Sequence, residues 1–364
     1  MHPARAVLAA LLAVLPAAAA AWPLPPEATG RFYVSNYNGD EVAVYDSDGS
    51  WLRSFTAAGL NGPRGIVIPG DDQIYVASQL SNEVLVFDSG EQLAYRFSHA
   101  ELAGPTGMAA GADGRLFVSS FNNDQVVVFE RDGTFVRAFT GGGLNGPNCV
   151  AFDPDGNIYV ASALTAEVLK FDPSESFLFS FTGGGLSSPM GIARDASGIL
   201  YVAGGASDNI VRFTTDGAYL DQWTHPDLTG PQGVAFDERG HLFSSSFYQD
   251  DVVELAPDGS WVQTITAGGL SVPRSVAFVP DCSPTPGAAS ELRMVKAGGG
   301  EIEASWAAAG DADDHVLYED AIADGAFAGE VAAVVGTTLS FAAPADSRYY
   351  LVAGRNGCGV GPLR

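Results

Sequence analysis

The sequence predicts an all-β protein: a six-bladed β-propeller of 42-residue, four-stranded blades, followed by a small β-sandwich. Three observations support this fold class. A proline recurs every 42 residues, apolar runs of four to six residues alternate with Gly, Asp and Pro, and the period ends near residue 280. Repeats of this length with several short strands are typical of propellers, whose blades must stack to bury their faces.

The repeat has fixed positions that recur without insertion or deletion. Its prolines are Pro63, Pro105, Pro147, Pro189, Pro231 and Pro273, and its leucines are Leu60, Leu102, Leu144, Leu186, Leu228 and Leu270. A large apolar position follows the same step at Phe55, Phe97, Phe139, Phe181, Trp223 and Ile265. In the unit that begins at Pro63, apolar runs at 65–68, 74–77 and 84–87 are separated by polar turns, which predicts successive strands.

The phase of the repeat predicts how the ring closes. The first copy begins at residue 32 with a second strand, and the last copy stops near residue 278 after a first strand. One blade should therefore combine three strands from residues 31–56 with one strand from about 274–279. Such a mixed N- and C-terminal blade leaves no open edge in the ring.

Residues 63–67, 74–78 and 84–88 together resemble the NHL repeat, and the resemblance extends over residues 31–279. It implies the propeller fold. The loops at 36–40 and 121–124 lack the basic residue that the family often carries there, and with it the basic character that some members use to bind RNA.

A second unit is predicted after a linker at residues 281–290. Residues 291–364 lose the 42-residue period and contain alternating segments around Trp306, Tyr318 and Tyr350. Their pattern is similar to a fibronectin type III domain, which implies an adhesive or spacer module. With residues 1–21 assigned to a signal peptide, the propeller would span residues 22–280.

Composition and the N-terminus indicate an exported, acidic binding protein. Arg5 precedes a short apolar run and small residues near position 20, as in a signal peptide, so we expect a secreted or periplasmic protein without a membrane span. A net charge of −25 argues against nucleic acid as a partner. In an oxidising compartment Cys282 and Cys358 should form a disulfide, and Cys149 should be a buried free thiol.

Catalytic and metal chemistry have little support in the sequence. His99 and His225 are 126 residues apart, on opposite sides of the ring, and His241 belongs to a turn on the other face, so no three-histidine zinc site is expected. The sequence favours a non-enzymatic protein without a cofactor over an enzyme. Carboxylates in the loops between second and third strands form either a solvated acidic rim or a Ca²⁺ or Mg²⁺ site: Asp40, Glu83, Asp124, Asp208 and Asp250.

The candidate ligand site is the channel mouth on the face of the interblade loops. The residue after each repeat proline should ring the axis there: Arg64, Thr106, Asn148, Met190, Gln232 and Arg274. Arg64 and Arg274 become neighbours on closure and suit a carboxylate or another anion, unless they pair with rim acids such as Asp40 or Asp250. Aromatic residues of the surrounding loops could stack on a ligand: Tyr37, Phe121, Phe247 and Tyr248.

The sequence thus predicts a secreted recognition scaffold whose partner is an extracellular protein, peptide or carbohydrate. The alternative is a propeller lyase or lactonase-like hydrolase with a carboxylate-bound divalent cation at the channel mouth.

Overall fold

A computed structural model describes residues 30–69 and 73–280 in full, apart from the side chain of residue 280, and the backbone of seven further strands between residues 290 and 360. The predicted signal peptide, the Cys282–Cys358 bridge and almost all of the predicted linker lie outside the described residues. Cys149 lies within them as a free cysteine.

Six four-stranded antiparallel sheets form the blades of a propeller, as predicted. The first two complete blades contain β4 (Pro63–Val67), β5 (Ile74–Ser78), β6 (Glu83–Phe87) and β7 (Leu93–Phe97), then β8 (Pro105–Ala110), β9 (Leu116–Ser120), β10 (Gln125–Phe129) and β11 (Phe135–Phe139). The next two contain β12 (Pro147–Phe152), β13 (Ile158–Ser162), β14 (Glu167–Phe171) and β15 (Phe177–Phe181), then β16 (Pro189–Arg194), β17 (Leu200–Gly204), β18 (Asn209–Phe213) and β19 (Tyr219–Trp223). The fifth contains β20 (Pro231–Phe236), β21 (Leu242–Ser246), β22 (Asp251–Leu255) and β23 (Trp261–Ile265). A 3-10 turn at Phe121–Asn123 interrupts the strand pattern.

The remaining blade closes the ring and confirms the predicted mixed topology. It combines β1 (Gly30–Asn36), β2 (Glu41–Asp46) and β3 (Trp51–Phe55) with β24 (Pro273–Pro280) in the order β24-β1-β2-β3. Strands β1 and β24 pair antiparallel from Gly30 with Pro280 to Asn36 with Pro273. The two ends of the propeller are therefore joined by a backbone ladder, and β24 takes its place between the inner strands β20 and β4.

Apolar faces of neighbouring blades form the core. The second and third strands are almost wholly buried, and each repeat leucine is buried at a junction between blades. Four consecutive junctions contain an aromatic pair that joins the last strand of one blade to the third strand of the next, with ring centroids 4.9–5.3 Å apart: Phe55–Phe87, Phe97–Phe129, Phe139–Phe171 and Phe181–Phe213. Aromatic pairs at such distances add to the stabilisation from buried area.

The strands after the propeller form two further antiparallel sheets. One has the order β25 (Ser290–Lys296), β26 (Glu301–Ala307), β29 (Thr338–Ala342). The other has the order β28 (Gly329–Val334), β27 (Asp314–Asp320), β30 (Tyr349–Asn356), β31 (Gly359–Val360). Two sheets of three and four strands match the strand number of a small immunoglobulin-type sandwich. The resemblance to a fibronectin type III domain stays a prediction.

Within the described residues, no helix has the length and apolar character needed to cross a bilayer.

Closure makes a truncation prediction. Deleting residues 22–50 removes β1 and β2 and exposes the inner strand β24 and the face of the adjacent blade. Each blade buries its faces only against its neighbours. We therefore expect the deletion to unfold the whole propeller, rather than one blade, and to abolish its cooperative melting transition. Thermal unfolding followed by near-UV circular dichroism measures this. A truncated protein that melts cooperatively at the parent's temperature would contradict the closure argument.

Candidate functional site

The innermost strands line a channel that narrows at a waist. On the interblade side of the waist lies a small chamber, lined by side chains of Arg64, Asn148, Met190, Gln232 and Arg274. On the opposite side lies a wider chamber of about 490 Å³, whose lining side chains are mostly aliphatic. The residues after the repeat prolines therefore meet around the axis, as the sequence predicts, except that Thr106 does not line the chamber.

Glycines set the width of the waist. A Cβ atom built on Gly65 would lie 2.4 Å from the carbonyl oxygen of Thr106, and one on Gly107 would lie 2.5 Å from the carbonyl oxygen of Asn148. Neighbouring inner strands therefore approach so closely that a side chain does not fit without a shift. Cys149 takes the same position in the next blade and points its Sγ toward the carbonyl oxygen of Ile192, 3.9 Å away. Cys149 is a free cysteine, as predicted; the residue as a whole is partly exposed, while burial raises the pKa of its thiol.

Arg274 is held by aromatic rings rather than by an acid. Its guanidinium carbon lies 4.4 Å from the ring centroid of Phe247 and 4.8 Å from that of Tyr37. Its Nη1 donates a hydrogen bond of 2.9 Å to Oε1 of Gln232, while its buried Nε has no hydrogen-bond partner in the described structure. Burial lowers the pKa of Arg274 to about 10. Two of the rings expected to stack on a ligand therefore stack on this guanidinium.

Arg64 is the more deeply buried of the two arginines, with 8% of its surface exposed. Among the described residues it forms neither a hydrogen bond nor an ion pair. Burial and then the charge of Arg274 lower the pKa of Arg64 to about 9, and the phenol of Tyr37 opposes this shift. No carboxylate of the described residues contributes to the pKa shift of either arginine. The alternative in which the arginines pair with Asp40 or Asp250 is therefore not what the described residues show.

The other members of the ring differ in how far their polar atoms are already used. The Thr106 hydroxyl is buried and donates to the carbonyl oxygen of Pro147 over 2.9 Å, so it serves the contact between blades. Gln232 donates from Nε2 to the carbonyl oxygen of Gly230 and accepts from Arg274. Asn148 is buried, and its side-chain amide forms no hydrogen bond to another described residue. Arg64 and Asn148 are thus the donors still free in the chamber.

The predicted aromatic residues surround the mouth unevenly. Tyr37 and Phe247 occupy the first position of their loops and cover Arg274. Tyr248 packs edge-on against Phe247 and is 70% exposed. Phe121 holds the first loop position of another blade, where it shares the space beside Gly146 with Leu164. Ala163 and Gly205 occupy this first position in the two blades that follow, so in this part of the described ring the position itself contributes no large side chain over the chamber.

The rim carboxylates serve the backbone. Four of them accept a backbone N–H from the interblade loop over 2.7–2.8 Å: Asp40 from Gly62, Asp124 from Gly146, Asp208 from Gly230 and Asp250 from Val272. These aspartates have φ of 49–59°, the left-handed region that Asn and Asp tolerate best among residues with a side chain. Glu83 instead lies 3.5 Å from Arg96. Within the described residues the five do not form a cluster of metal-ligating atoms.

One cluster with metal-ligating atoms lies elsewhere, in the turn between β20 and β21 and on β22: Asp237, His241 and Glu254. Arg239 penetrates it, with Nε 2.8 Å from Asp237 and an Nη 3.0 Å from Glu254. Since the guanidinium of Arg239 already pairs with both carboxylates, the group is a salt-bridge network rather than a cation site. The other histidines of the propeller stack on rings, His99 on Phe135 and His225 on Trp261.

Sequence reasoning missed the cage around Arg274 and the uneven cover of the mouth. The repeat alignment contains the signal for the second, because the first loop position reads Tyr37, Gln79, Phe121, Ala163, Gly205 and Phe247. The repeat alignment contains no signal for the cage around Arg274, because Tyr37 and Phe247 belong to loops that are 210 residues apart and become neighbours only when the ring closes.

The rim assignment yields a prediction with a control inside the chain. Asn82 occupies the equivalent position and accepts from the N–H of Gly104 over 2.7 Å, so an amide suffices. Asp124→Asn should leave stability nearly unchanged, whereas Asp124→Ala should lose about 1–2 kcal/mol with the hydrogen bond. Melting temperatures with Ca²⁺, Mg²⁺ or EDTA measure both variants. Equal losses for Asn and Ala, with EDTA destabilising the parent, would restore the cation site.

Asp251 makes a pH prediction. It is 4% exposed, its Oδ1 has no partner in the described structure, and burial raises its pKa to about 6, with a further contribution from Asp227 and Asp250. The folded state binds this proton more tightly than the unfolded state, so stability falls as pH rises from about 4 through 6.

Asp251→Asn should therefore raise the unfolding free energy at pH 7.5, by at most about 3 kcal/mol, and the gain should vanish near pH 4. The control is Asp124→Asn, which should show no such pH dependence. A melting temperature at pH 7.5 that is unchanged or lower in Asp251→Asn would contradict the assignment.

Comparisons with known proteins support the fold. No protein-family model matches the sequence. A comparison with curated proteins finds no match. Among solved structures, virginiamycin B lyase from Staphylococcus aureus is similar with a TM-score of 0.55 and 13% identity, over 70% of this chain and 89% of the lyase. A Bacteroides caccae protein of unknown function has a TM-score of 0.57 and 14% identity, over 69% and 99% of the two chains. Kuenenia stuttgartiensis hydrazine synthase has a TM-score of 0.52 and 16% identity, over 68% and 91%. At these identities the likeness is one of fold, and the chain shares the six-bladed propeller.

Proposed function

We propose that the protein is a non-enzymatic binding scaffold whose propeller takes an anionic group at the interblade mouth of the channel. The observation that carries the proposal is a pair of arginines on adjacent inner strands, Arg64 and Arg274, neither of which has a carboxylate partner among the described residues. In a chain with 18 basic and 43 acidic residues, acids to pair with them are abundant.

Electrostatics explains why this arrangement favours an anion. Removing a guanidinium from water costs free energy that an ion pair normally offsets, and a second positive charge nearby adds repulsion. Arg64 bears both costs, as the downward shift of its pKa reflects. An anion between the two guanidinium groups would remove the repulsion and accept charge-assisted hydrogen bonds. The ring cage on Arg274 orients its guanidinium in advance and so lowers the entropy lost on binding.

The setting of the site completes the proposal. The signal peptide would direct the chain to the periplasm or the extracellular medium, and the C-terminal sheets would form a fibronectin type III-like module that spaces or docks the propeller. The NHL-like repeat would supply the ring. An extracellular protein, peptide or carbohydrate with an acidic group is the partner class that this setting favours.

The enzymatic alternative has a fold precedent in virginiamycin B lyase, at 13% identity. It would place a divalent cation among carboxylates at the channel mouth. The carboxylates of the rim instead hold interblade loops, and the chamber itself is lined by arginine and amide groups. The described geometry therefore favours the binding scaffold.

The test replaces both arginines. Arg64→Ala with Arg274→Ala should weaken any acidic ligand by roughly 10- to 100-fold or more, because each charge-assisted hydrogen bond contributes about 1.5–3 kcal/mol. Titration calorimetry with acidic peptides and acidic oligosaccharides measures the affinities. The control is Arg115→Ala, which removes an arginine that pairs with Glu130 on the surface. A ligand that binds the double variant as tightly as the parent would refute the site.

A further inference from the structure

We propose that the group bound at the mouth is a carboxylate on an apolar body, and that this body leaves the chamber on the side of Ala163 and Gly205. The inference rests on the proposed function and narrows it to a ligand class. It follows from the size of the chamber, from the donors that remain free in it, and from the uneven cover of the mouth.

The size of the chamber selects the anionic group. The space available to the centres of water-sized molecules is about 40 Å³. A single water needs about 10–15 Å³ of such space, so the chamber holds about three non-hydrogen atoms. A carboxylate has three such atoms, whereas a phosphate or a sulfate has five. The small chamber therefore favours a carboxylate over the larger tetrahedral anions.

The donors without partners match the acceptor capacity of a carboxylate. They are the guanidinium of Arg64 and the amide of Asn148, both of which line the chamber. An ionised carboxylate accepts about four hydrogen bonds and is the geometric partner of a guanidinium fork. Gln232 is excluded from this set because it already bonds Arg274 and Gly230.

The cover of the mouth determines where the rest of the ligand lies. Tyr37 and Phe247 cover the cationic half of the ring through their contacts with Arg274. Over the other half, Gly205 has no side chain, and the site of its absent Cβ lies 2.7 Å from Cγ of Met190 and 3.1 Å from Nε2 of Gln232. Ala163 contributes only a methyl group. Met190, a flexible side chain, is thus the large group that lies against Gly205.

Exposed apolar side chains give the chemistry of the body. Leu164 is 64% exposed and extends from the same loop as Ala163. Leu80 is 58% exposed and packs beside Gly62 with Tyr37, as Leu164 packs beside Gly146 with Phe121, but Tyr37 belongs to the side that covers Arg274. Exposed apolar groups at the edge of a polar pocket are typical of ligand sites. A body that passes Met190 and Leu164 would bury these surfaces, which favours an aryl or aliphatic group over a sugar.

The experiment uses the full chain and four probes of defined chemistry: acetate, 3-phenylpropionate, 2-phenylethylphosphonate and 3-phenylpropan-1-ol. Titration calorimetry should give binding of both carboxylates, with 3-phenylpropionate at least tenfold tighter than acetate. The phosphonate and the alcohol should bind at least tenfold more weakly than 3-phenylpropionate, because the phosphonate group fits the small chamber less closely and the alcohol lacks the charge.

Variants then test the side on which the body lies. Leu164→Ser should weaken 3-phenylpropionate severalfold without changing acetate, whereas the matched control Leu80→Ser should change neither. Ala163→Phe should weaken 3-phenylpropionate at least tenfold, and the same repeat position already carries Phe121 and Phe247. Melting temperatures establish that each variant is folded, and Leu164→Ser keeps the test available if Ala163→Phe is not.

The outcomes separate this inference from the proposed function. Phosphonate that binds as tightly as 3-phenylpropionate, with loss in Arg64→Ala Arg274→Ala, would overturn the carboxylate assignment and leave the anion site standing. Equal weakening by Leu80→Ser and Leu164→Ser would overturn the position of the body. Carboxylates that do not bind, or that bind the double arginine variant unchanged, would overturn both proposals.

Discussion

A blade of this propeller has two apolar faces, and neither is buried until blades stand on both sides of it. This constraint makes the ring an all-or-none structure, because an open ring would leave two faces and an inner strand exposed. The ladder between β1 and β24 satisfies this constraint, because it joins the two ends of the propeller within one sheet. The same constraint explains the fixed 42-residue step. An insertion in the strands that carry the interblade aromatic pairs would break the match between neighbouring faces.

Closure also creates the site, because Arg64 and Arg274 are separated by most of the chain. They become neighbours only when β24 is placed beside β4. The same event brings Tyr37 and Phe247 to opposite sides of the Arg274 guanidinium. A buried positive charge at Arg64 beside the half-buried one at Arg274 works against folding, while the ladder and the packed faces favour it. A bound anion would remove the repulsion between the two guanidinium groups. The free energy of ring closure would thereby depend on whether the mouth is occupied.

The fold could be predicted closely from the sequence because its determinants are local and repeated six times. Pro63 and its equivalents begin the inner strands, and the phase of the first and last copies places the mixed blade. The ring position of Arg64, Asn148, Gln232 and Arg274 follows from the same period. The role of the aspartates does not, because an exposed acid and a cap on a backbone amide look alike in sequence. Only the geometry of Asp40 against Gly62 and of Asp124 against Gly146 distinguishes them. Thr106 shows why the role of a single side chain is harder to predict. Its position follows from the repeat, but the hydrogen bond from its hydroxyl to the carbonyl oxygen of Pro147 depends on how adjacent blades pack.

Symmetry separates framework from function in this molecule. Positions that support the ring are nearly the same in every blade, as the buried leucines and the left-handed residues after the second strands show. Positions at the mouth differ from blade to blade, and the differences are spatially ordered. The two arginines and the two rings that cage Arg274 lie together on one side, while Met190, Ala163 and Gly205 lie together on the other. Packing between blades does not require this polarity, since the repeat leucine is buried at every junction. A mouth that is cationic and covered on one side, and apolar and open on the other, matches a ligand with the same two parts.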